Sequence, residues 1–551
     1  MPSDIFLAFF GDGNRHALAG GTMNKNQSND KGNQTVCRNP ATGEILGYSP
    51  LTSMQELKKV FDKARAAQKP WAELPVKERV AHMGWVREYM VEKAEDIAEV
   101  ISRDNGKTRL DALSTEVFPA ILAVAYYGKR ARKFLRTQRL RPASILLLNK
   151  RSKVIRVPHG VIGIISPWNY PFSIAFSEVV MALLAGNSVV LKTATETQMV
   201  GRKLEECFSA AALPEGVFTY VNIPGRLAGS AFLEMGIDKL FFTGSVSVGK
   251  KLMGEAAETL TPLVLELGGN DAMLVCDDAD LHRAASGGVW AGLQNCGQTC
   301  AGVERIYVHE RIYEPFLELL KQKVEALRVG YDENFNVDLG VMTTERQVST
   351  VRRHLEDALA KGAVIFARSS QPEGDGSGNM LPAMVLTEVN HEMLVMREET
   401  FGPIVGVMKV RNMNEAVALA NDSHLGLTSS VWSRNRKEAE KLARQIHAGA
   451  VMINDHVMSH GMAETPWGGF KESGIGRTHG AIGFDEMTQP QVIVHDLMPF
   501  ARQNIWWFPH GEEKYRGLLG GIKFIYGKSI SERVKGLRHL LKIFPRSFSA
   551  R

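Results

Sequence analysis

The sequence predicts an α/β protein: two doubly wound α/β domains in tandem, with a small β arm. Three observations predict this. From Asn39 onward, short β-branched runs alternate with longer stretches of helical period. A helical stretch separates each strand-like run from the next, the spacing of parallel strands joined by crossover helices. The length, 551 residues, suits two to four domains at roughly 100–200 residues each. No internal repeat is apparent, which argues against a solenoid.

Taken in order, residues 1–35 read as a disordered leader. The apolar patch Ile5–Phe10 is short and has no basic region before it, unlike a signal peptide. Met23 opens the polar stretch MNKNQSNDKGNQ and is a second candidate start. Arg87–Arg103 carries Met90, Ala94, Ile97 and Ile101 at helical spacing, and Pro119–Phe134 reads as another helix. Val161–Ser166, Ser188–Lys192, Phe218–Ile223 and Lys239–Phe242 are strand-like. Residues 36–138 and 158–267 therefore form a first domain, of the kind that binds a ligand at the carboxyl ends of its strands. A second series, Ala272–Cys276, Arg305–Val308, Ala363–Ala367, Ile404–Lys409 and Ser429–Trp432, assigns 268–465 to a second domain. Its helices include Tyr313–Val329 and Arg436–Ile446. Ser144–Val157 reads as a hairpin interrupting the first domain, and Gln491–His495 as a late strand. Residues 139–157 and 482–500 are thus expected to form an arm whose edges pair with a second subunit, in a homodimer or homotetramer. Residues 501–551 are a separate tail.

Composition limits the function. Hydrophobic residues at 44% and charged residues at 23% give ample material for a core. The formal charge of +6 is uneven: the last 51 residues hold 11 Lys+Arg against 3 Asp+Glu, which leaves −2 for the first 500. A near-neutral body gives no reason to expect nucleic acid. No apolar run approaches the roughly 20 residues of a membrane span. The five cysteines form no CxxC, and no HExxH occurs. No metal site is expected, and reduced thiols point to a cytoplasmic compartment.

Four strings carry chemistry. Lys239–Phe242 runs into Thr243-Gly244-Ser245-Val246-Ser247-Val248-Gly249 and a helix, where backbone N–H groups can approach a pyrophosphate. The string nearly matches a P-loop, but Lys251 stands where Ser or Thr would hold Mg²⁺. A plain turn-to-helix junction explains it equally well. Cys207 and Cys276 sit in apolar segments and read as core. Cys300, flanked by Gly297, Gln298, Thr299, Ala301 and Gly302, has the small and polar neighbours of a thiol that a substrate must reach. An unperturbed thiol is only about 3% ionised at neutral pH, so a nucleophile needs help. Glu266, in the apolar string PLVLELGGN, is a candidate base if buried and a plain solvent-facing residue if not. Asn169, in the rigid loop PWNYP, can stabilise an oxyanion or merely form a turn.

Together PWNYP, FFTGS, LELGGN, GQTC, EETFGP and PWGGFKESGIGR, in this order, closely resemble the aldehyde dehydrogenase superfamily, over about four fifths of the chain from Asn39 to His495. The resemblance implies oxidation of an aldehyde to the acid with NAD or NADP as cofactor. It implies Cys300 as nucleophile, Glu266 as base, and Asn169 with the Cys300 N–H as oxyanion hole. It implies ribose contacts at Lys192 and Glu399, a pyrophosphate contact at Ser245 and nicotinamide packing at Phe401. Ser166, Trp168, Thr195, Gly244, Gly249 and Leu267 complete the implied cofactor site. A coenzyme-A-acylating relative is disfavoured by Glu266. A cysteine esterase without redox turnover would leave the cofactor residues idle, and a non-catalytic member would not need Cys300, Glu266 and Asn169 together.

Two departures stand out. Where the family commonly has Lys-Pro-Ser-Glu, this chain has Lys192-Thr193-Ala194-Thr195, and Thr195 cannot repel a 2′-phosphate although Glu196 is adjacent. The tail beyond about Pro499 lies outside the common pattern. The loop Asp455–Thr465 has no Arg or Lys to hold an ω-carboxylate. With Trp168, Tyr170, Met458 and Met462, it suggests an apolar aldehyde, medium-chain or longer, or aromatic, although each of these side chains is as readily explained as packing of the domain interface. In the tail, Val534, Leu537, Leu541 and Phe544 form a helical stripe beside Lys535, Arg538 and Lys542, after Trp506-Trp507. Such a segment either meets a membrane surface peripherally, at the inner face, or packs on protein.

Overall fold

The computed structural model describes residues 32–370 and 378–548. In the first domain, five parallel strands lie in the order Leu263–Glu266, Lys239–Thr243, Val161–Ile165, Ser188–Lys192, Phe218–Tyr220. Val161–Ile165 and Ser188–Lys192 are buried at every residue, which is why they read as continuous apolar runs. The chain starts at the central strand, moves outward, then returns to the other side. The strand order therefore reverses between Val161–Ile165 and Lys239–Thr243, and the crevice outside that reversal is where doubly wound sheets bind ligands. One face of the sheet is covered by Ser173–Ala185, a helix buried all round beneath Val76–Glu92 and Phe118–Phe134. The other face packs on Phe232, Leu252 and their neighbours.

The second domain holds a seven-stranded sheet, ordered Val364–Arg368, Met384–Thr387, Ile404–Val410, Val303–His309, Asp271–Val275, Thr428–Trp432, Ala450–Ile453. All are parallel except the first, an antiparallel edge. A third, antiparallel sheet joins Thr488–Asp496, Lys150–Pro158 and Gln138–Leu140.

The structure departs from the sequence reading at several places. Residues 1–31 of the expected leader lie outside the described residues, and the strand Gln34–Arg38 begins inside its last positions, paired with Ile45–Pro50. Arg87–Arg103 is not one helix. Val76–Glu92 and Ala94–Asn105 meet at Lys93 (φ −104°, ψ 18°), and Glu95 and Asp96 open the second. The apolar stripe runs through the break because both helices bury the same side. Ser144–Val157 is not a hairpin: Ile145–Leu147 is a 3-10 turn, and the strand Lys150–Pro158 finds its partners outside that segment. Residues 482–486 of the expected arm lie in the helix Gly480–Glu486, whose Phe484 packs on Tyr127 and Phe134 of the first domain. Finally, one helical stretch, Arg109–Phe134, is long and apolar enough by composition to cross a membrane. Its inner face, with Val117, Ala120, Val124 and Tyr127, is core of the first domain instead.

Candidate active site

Cys300 lies in the loop between the turn Gln294–Gly297 and the strand Val303–His309. Asn295, Cys296 and Gly297 all have left-handed backbone (φ 50°, 55° and 68°), a conformation that costs non-glycine residues roughly 1–2 kcal/mol each. Contacts from three directions hold it. The Asn295 N–H donates to Asp111 Oδ2 (3.3 Å), and Asn295 Nδ2 donates to the carbonyls of Asn169 (3.0 Å) and Gln298 (3.2 Å). A Cβ at Gly297 would stand 2.1 Å from the Gly402 carbonyl, and one at Gly269 would stand 2.1 Å from the Cys300 carbonyl. Those two glycines let the loop seat closely against the Gly402 and Gly269 backbone.

The two neighbouring thiols differ. Cys296 is 1% exposed and donates to the Gly340 carbonyl at 3.1 Å. Cys300 is half-buried and borders two cavities at once. Burial pushes the Cys300 thiol up, and the charged groups acting on it, Glu399, Asp271 and Glu266, push the same way. The resting group is a neutral thiol that needs a base.

Glu266 ends the strand Leu263–Glu266 and borders the same two cavities. It is buried, and neither carboxyl oxygen has a hydrogen-bond partner in normal geometry. Burial first, and then Glu178, holds it well above the usual carboxylate range. Glu178, from the buried helix Ser173–Ala185, borders the substrate-side cavity with Glu266. Burial pushes it up to about 8, and its Oε2 has no partner.

Asn169 is buried, and its Nδ2 donates to the Gln298 carbonyl at 3.1 Å, two residues before Cys300. The PWNYP loop is clamped by an ion pair absent from the sequence reading. Lys107 Nζ lies 2.6 Å from Glu116 Oε1, both side chains fully buried. Lys107 also donates to the Asn169 carbonyl (2.8 Å) and lies 4.0 Å over the Tyr170 ring. Glu116 Oε2 accepts the N–H groups of Phe172 (2.8 Å) and Ser173 (3.2 Å). Neither residue belongs to a readable motif, since a charge inside a helical pattern normally signals a solvated face.

The crevice at the sheet's reversal is a cleft of about 380 Å³, bordered by Trp168, Gly244, Ser245, Leu267, Glu399 and Phe401. Its chemistry fits a dinucleotide. Ser245 caps the helix Val246–Ala257 without spending its hydroxyl on the cap. The hydroxyls of Ser166 and Thr243, at the ends of the two bracketing strands, are buried and unpartnered. Glu399 accepts the Gly269 N–H at 3.0 Å. Glu304 holds the neighbouring loop by accepting the N–H groups of Thr400 and Phe401, each at 2.8 Å. Lys192 is buried near Gly225, its ammonium brought down to about 8 by burial against the pull of Glu196. Gly249 packs under Leu267, where a Cβ would stand 2.7 Å from that side chain. Glu196 borders the cleft, whereas Thr195, which opens the turn Thr195–Thr197, does not. Arg346 and Gln347, at the start of the helix Glu345–Ala360, also border it. Their only sequence signal is the cap Thr344, which marks a helix start and not its position.

The second cavity, about 340 Å³, is walled by Phe118, Ile174, Trp290, Leu427, Met458 and Trp467. Among the described residues, no Lys or Arg borders it. His460 and His479 face it with rings 4.9 Å apart. Burial brings His460 down to about 4, and burial with His460 alongside brings His479 well below the usual range, so both rings are neutral. Tyr170 and Met458 border this cavity as the sequence suggested. Trp168 does not: it borders the cofactor-side cleft and packs edge-on against Phe401 at 5.5 Å.

A half-buried thiol thus stands at the neck between a cleft whose chemistry fits a dinucleotide and an apolar cavity. The aldehyde dehydrogenase family model matches residues 27–493. The chain belongs to the aldehyde dehydrogenase family. Like its family, this dehydrogenase is an NAD(P)-dependent enzyme that oxidises aldehydes. A Methylomonas sp. protein named 4,4′-diapolycopene aldehyde oxidase is 38% identical over 511 residues, covering 93% of this chain and 94% of its own. Residues 1–493 are under nine tenths of the chain, so that match extends into the tail of the dehydrogenase. An NAD-dependent aldehyde dehydrogenase from Sinorhizobium meliloti superposes with TM-score 0.81 at 33% identity, covering 86% of this chain and 93% of its own. An NADP-dependent enzyme from E. coli superposes with TM-score 0.80 at 30% identity, covering 84% and 95%.

Proposed function

We propose that the enzyme oxidises a long apolar aldehyde to its carboxylic acid through a thioester on Cys300, which water then hydrolyses. The observation that carries the reading is the neck: Cys300 and Glu266 border both the cleft and the apolar cavity. The Cys300 thiol, which is only half-buried, gives its proton to solvent water, and the thiolate sulfur adds to the aldehyde carbon. Asn169 is oriented by its bond to Gln298 and keeps a second amide hydrogen for the oxyanion. A nicotinamide cofactor held in the cleft by Ser245, Glu399 and Phe401 would supply the acceptor for the hydride that collapse of the Cys300 adduct expels. Glu266 then takes a proton from water, which attacks the thioester carbon, and the sulfur departs. Glu178, raised by the same apolar surroundings, is the acceptor to which Glu266 discharges that proton.

The cavity supports the substrate class. Its walls are apolar, no Lys or Arg among the described residues borders it, and its histidines are neutral. An ω-carboxylate aldehyde would find no cation to pair with there, whereas a polyene or fatty aldehyde needs none. The similarity to the Methylomonas diapolycopene aldehyde oxidase points the same way. Absorbance of reduced cofactor at 340 nm, followed with a panel of aldehydes, tests it. Expected is a kcat/KM that climbs with apolar chain length and is lowest for an aldehyde ending in carboxylate. The reverse order would remove the proposed substrate class.

For the cofactor, Glu196 at the cleft favours NAD⁺ by repelling a 2′-phosphate. The arm sheet supports a homo-oligomer, because Thr488–Asp496 is a long strand with one edge unpaired among the described residues. Five unpaired cysteines agree with a reducing, cytoplasmic compartment.

A further inference from the structure

The tail is a hairpin of two helices, Glu512–Tyr526 and Ile530–Ile543. Its internal contact is made by small residues. Gly517 faces Ile543, Gly520 faces Gly536, and Gly521 faces Leu540. A Cβ on Gly520 would stand 2.6 Å from the Gly536 carbonyl, so the backbones nearly touch. The large apolar side chains are left outside. Tyr515, Leu519, Ile522 and Tyr526 follow each other at i, i+4, i+7 and i+11, and are 69%, 38%, 56% and 74% exposed. An amphipathic helix of a globular domain turns such a stripe inward. The second helix adds the exposed Ile530, Val534 and Leu541, and Phe544 follows at its end. Beside it, an apolar groove of about 460 Å³ runs between Leu541 and Phe544, the tryptophans Trp506 and Trp507, and Ile145 and Leu148 of the arm.

Charge selects what covers this surface. The last 51 residues carry 11 Lys+Arg and 3 Asp+Glu. Arg516 and Arg546 are paired with Glu512 and Glu513. Among the described residues, no carboxylate pairs with Lys523, Lys535, Arg538 or Lys542. A second copy of this chain would bring two such surfaces of +8 together. The complementary occupant is apolar and anionic at once. At 15 and 14 residues, the helices reach only about 22 Å at 1.5 Å per residue, short of a span. Exposed tryptophans and tyrosines beside unpaired cations are the pattern of helices that lie in the headgroup region.

We infer that the C-terminal hairpin, with Trp506, Trp507 and the Ile145–Leu148 turn, docks the enzyme on the surface of an anionic lipid bilayer. The inference stands apart from the catalytic reading, since it uses no residue of the site. Its test is flotation of the full-length enzyme with phosphatidylcholine vesicles, with and without about one third phosphatidylserine, at low and high salt. Expected is binding to the anionic vesicles that weakens with salt, and at least tenfold weaker partition to neutral ones. A double variant, Leu519→Ser with Ile522→Ser, and a triple variant, Lys523→Glu with Lys535→Glu and Lys542→Glu, should each lose at least tenfold in partition. Both should keep wild-type turnover of a short soluble aldehyde, which shows that the fold is intact. No binding, equal binding to both vesicles, or variants that bind as well as wild type would overturn it. So would an oligomer that the Leu519/Ile522 variant dissociates while vesicles recover nothing, which would make a second copy the occupant.

Discussion

Cys300 and Cys296 lie four residues apart and have opposite surroundings, and one pair of substitutions separates them. Cys300→Ala should abolish turnover while cofactor still binds, as read by fluorescence titration. Cys296→Ala should retain turnover, losing only the bond to the Gly340 carbonyl and some stability. Glu266→Gln should leave a single-turnover burst of reduced cofactor and cut steady turnover by about 10²–10⁴-fold. The pH dependence follows from the raised carboxyl. A base works only when ionised, so the hydrolytic rate is low below the elevated Glu266 pKa and rises as pH passes through it. Glu178→Gln removes the neighbouring charge that contributes to that elevation. The rising limb should move to lower pH while the plateau falls, because the proton acceptor is gone. A limb that stays put would separate the two carboxyls. At the cleft, Glu196→Gln should raise the NADP⁺ to NAD⁺ ratio of kcat/KM by about tenfold, equivalent to ~1.4 kcal/mol. Cys300, Glu266 and Asn169 were legible as candidates because each sits in a distinctive string. Glu178 was not, because a carboxyl within an apolar helical run carries no sign of which cavity it borders.

The elements most readable in sequence were the strands buried on both faces, such as Ser188–Lys192, whose apolar run has the same bounds as the strand. The break at Lys93 was not readable, because both helices continue one apolar stripe. The clamp on the PWNYP loop was hidden for a different reason: Lys107 and Glu116 acquire meaning only when the loop packs on them. Breaking one half leaves a buried charge alone, so Lys107→Met should cost about 3–5 kcal/mol in urea unfolding. It should also lower kcat more than it raises KM, since the Asn169 carbonyl loses its anchor. Lys107→Met combined with Glu116→Leu should recover much of the stability, because the stranded carboxylate is gone. Recovery of kcat to the wild-type level in that double variant would show that the pair supports the fold without positioning Asn169.

At the scale of the whole molecule, the two domains are tied through the segment that follows the second one. Gly474–Ile475 returns to the first sheet and pairs antiparallel with Leu265 and Glu266. Ser473 beside it accepts the Leu267 N–H through its carbonyl (3.0 Å), donates its hydroxyl to the Gly268 carbonyl (2.7 Å), and accepts the Gly426 N–H (2.9 Å). Glu266 and Cys300 come from different domains, so their spacing depends on this tie. The chain then leaves as the strand Thr488–Asp496, which pairs along its full length with Lys150–Pro158 and has its other edge open. Val492 and Val494, two apart and so on one face, are both exposed. A nine-residue edge with an exposed apolar face is a liability unless another chain covers it. Val492→Lys with Val494→Lys should therefore dissociate the proposed homo-oligomer in sedimentation velocity, and the secondary structure seen by circular dichroism should be unchanged. If the variant sediments like the wild type, the arm's apolar face is not the subunit contact. If the wild type is itself a monomer across the micromolar range, the open edge is tolerated without a partner.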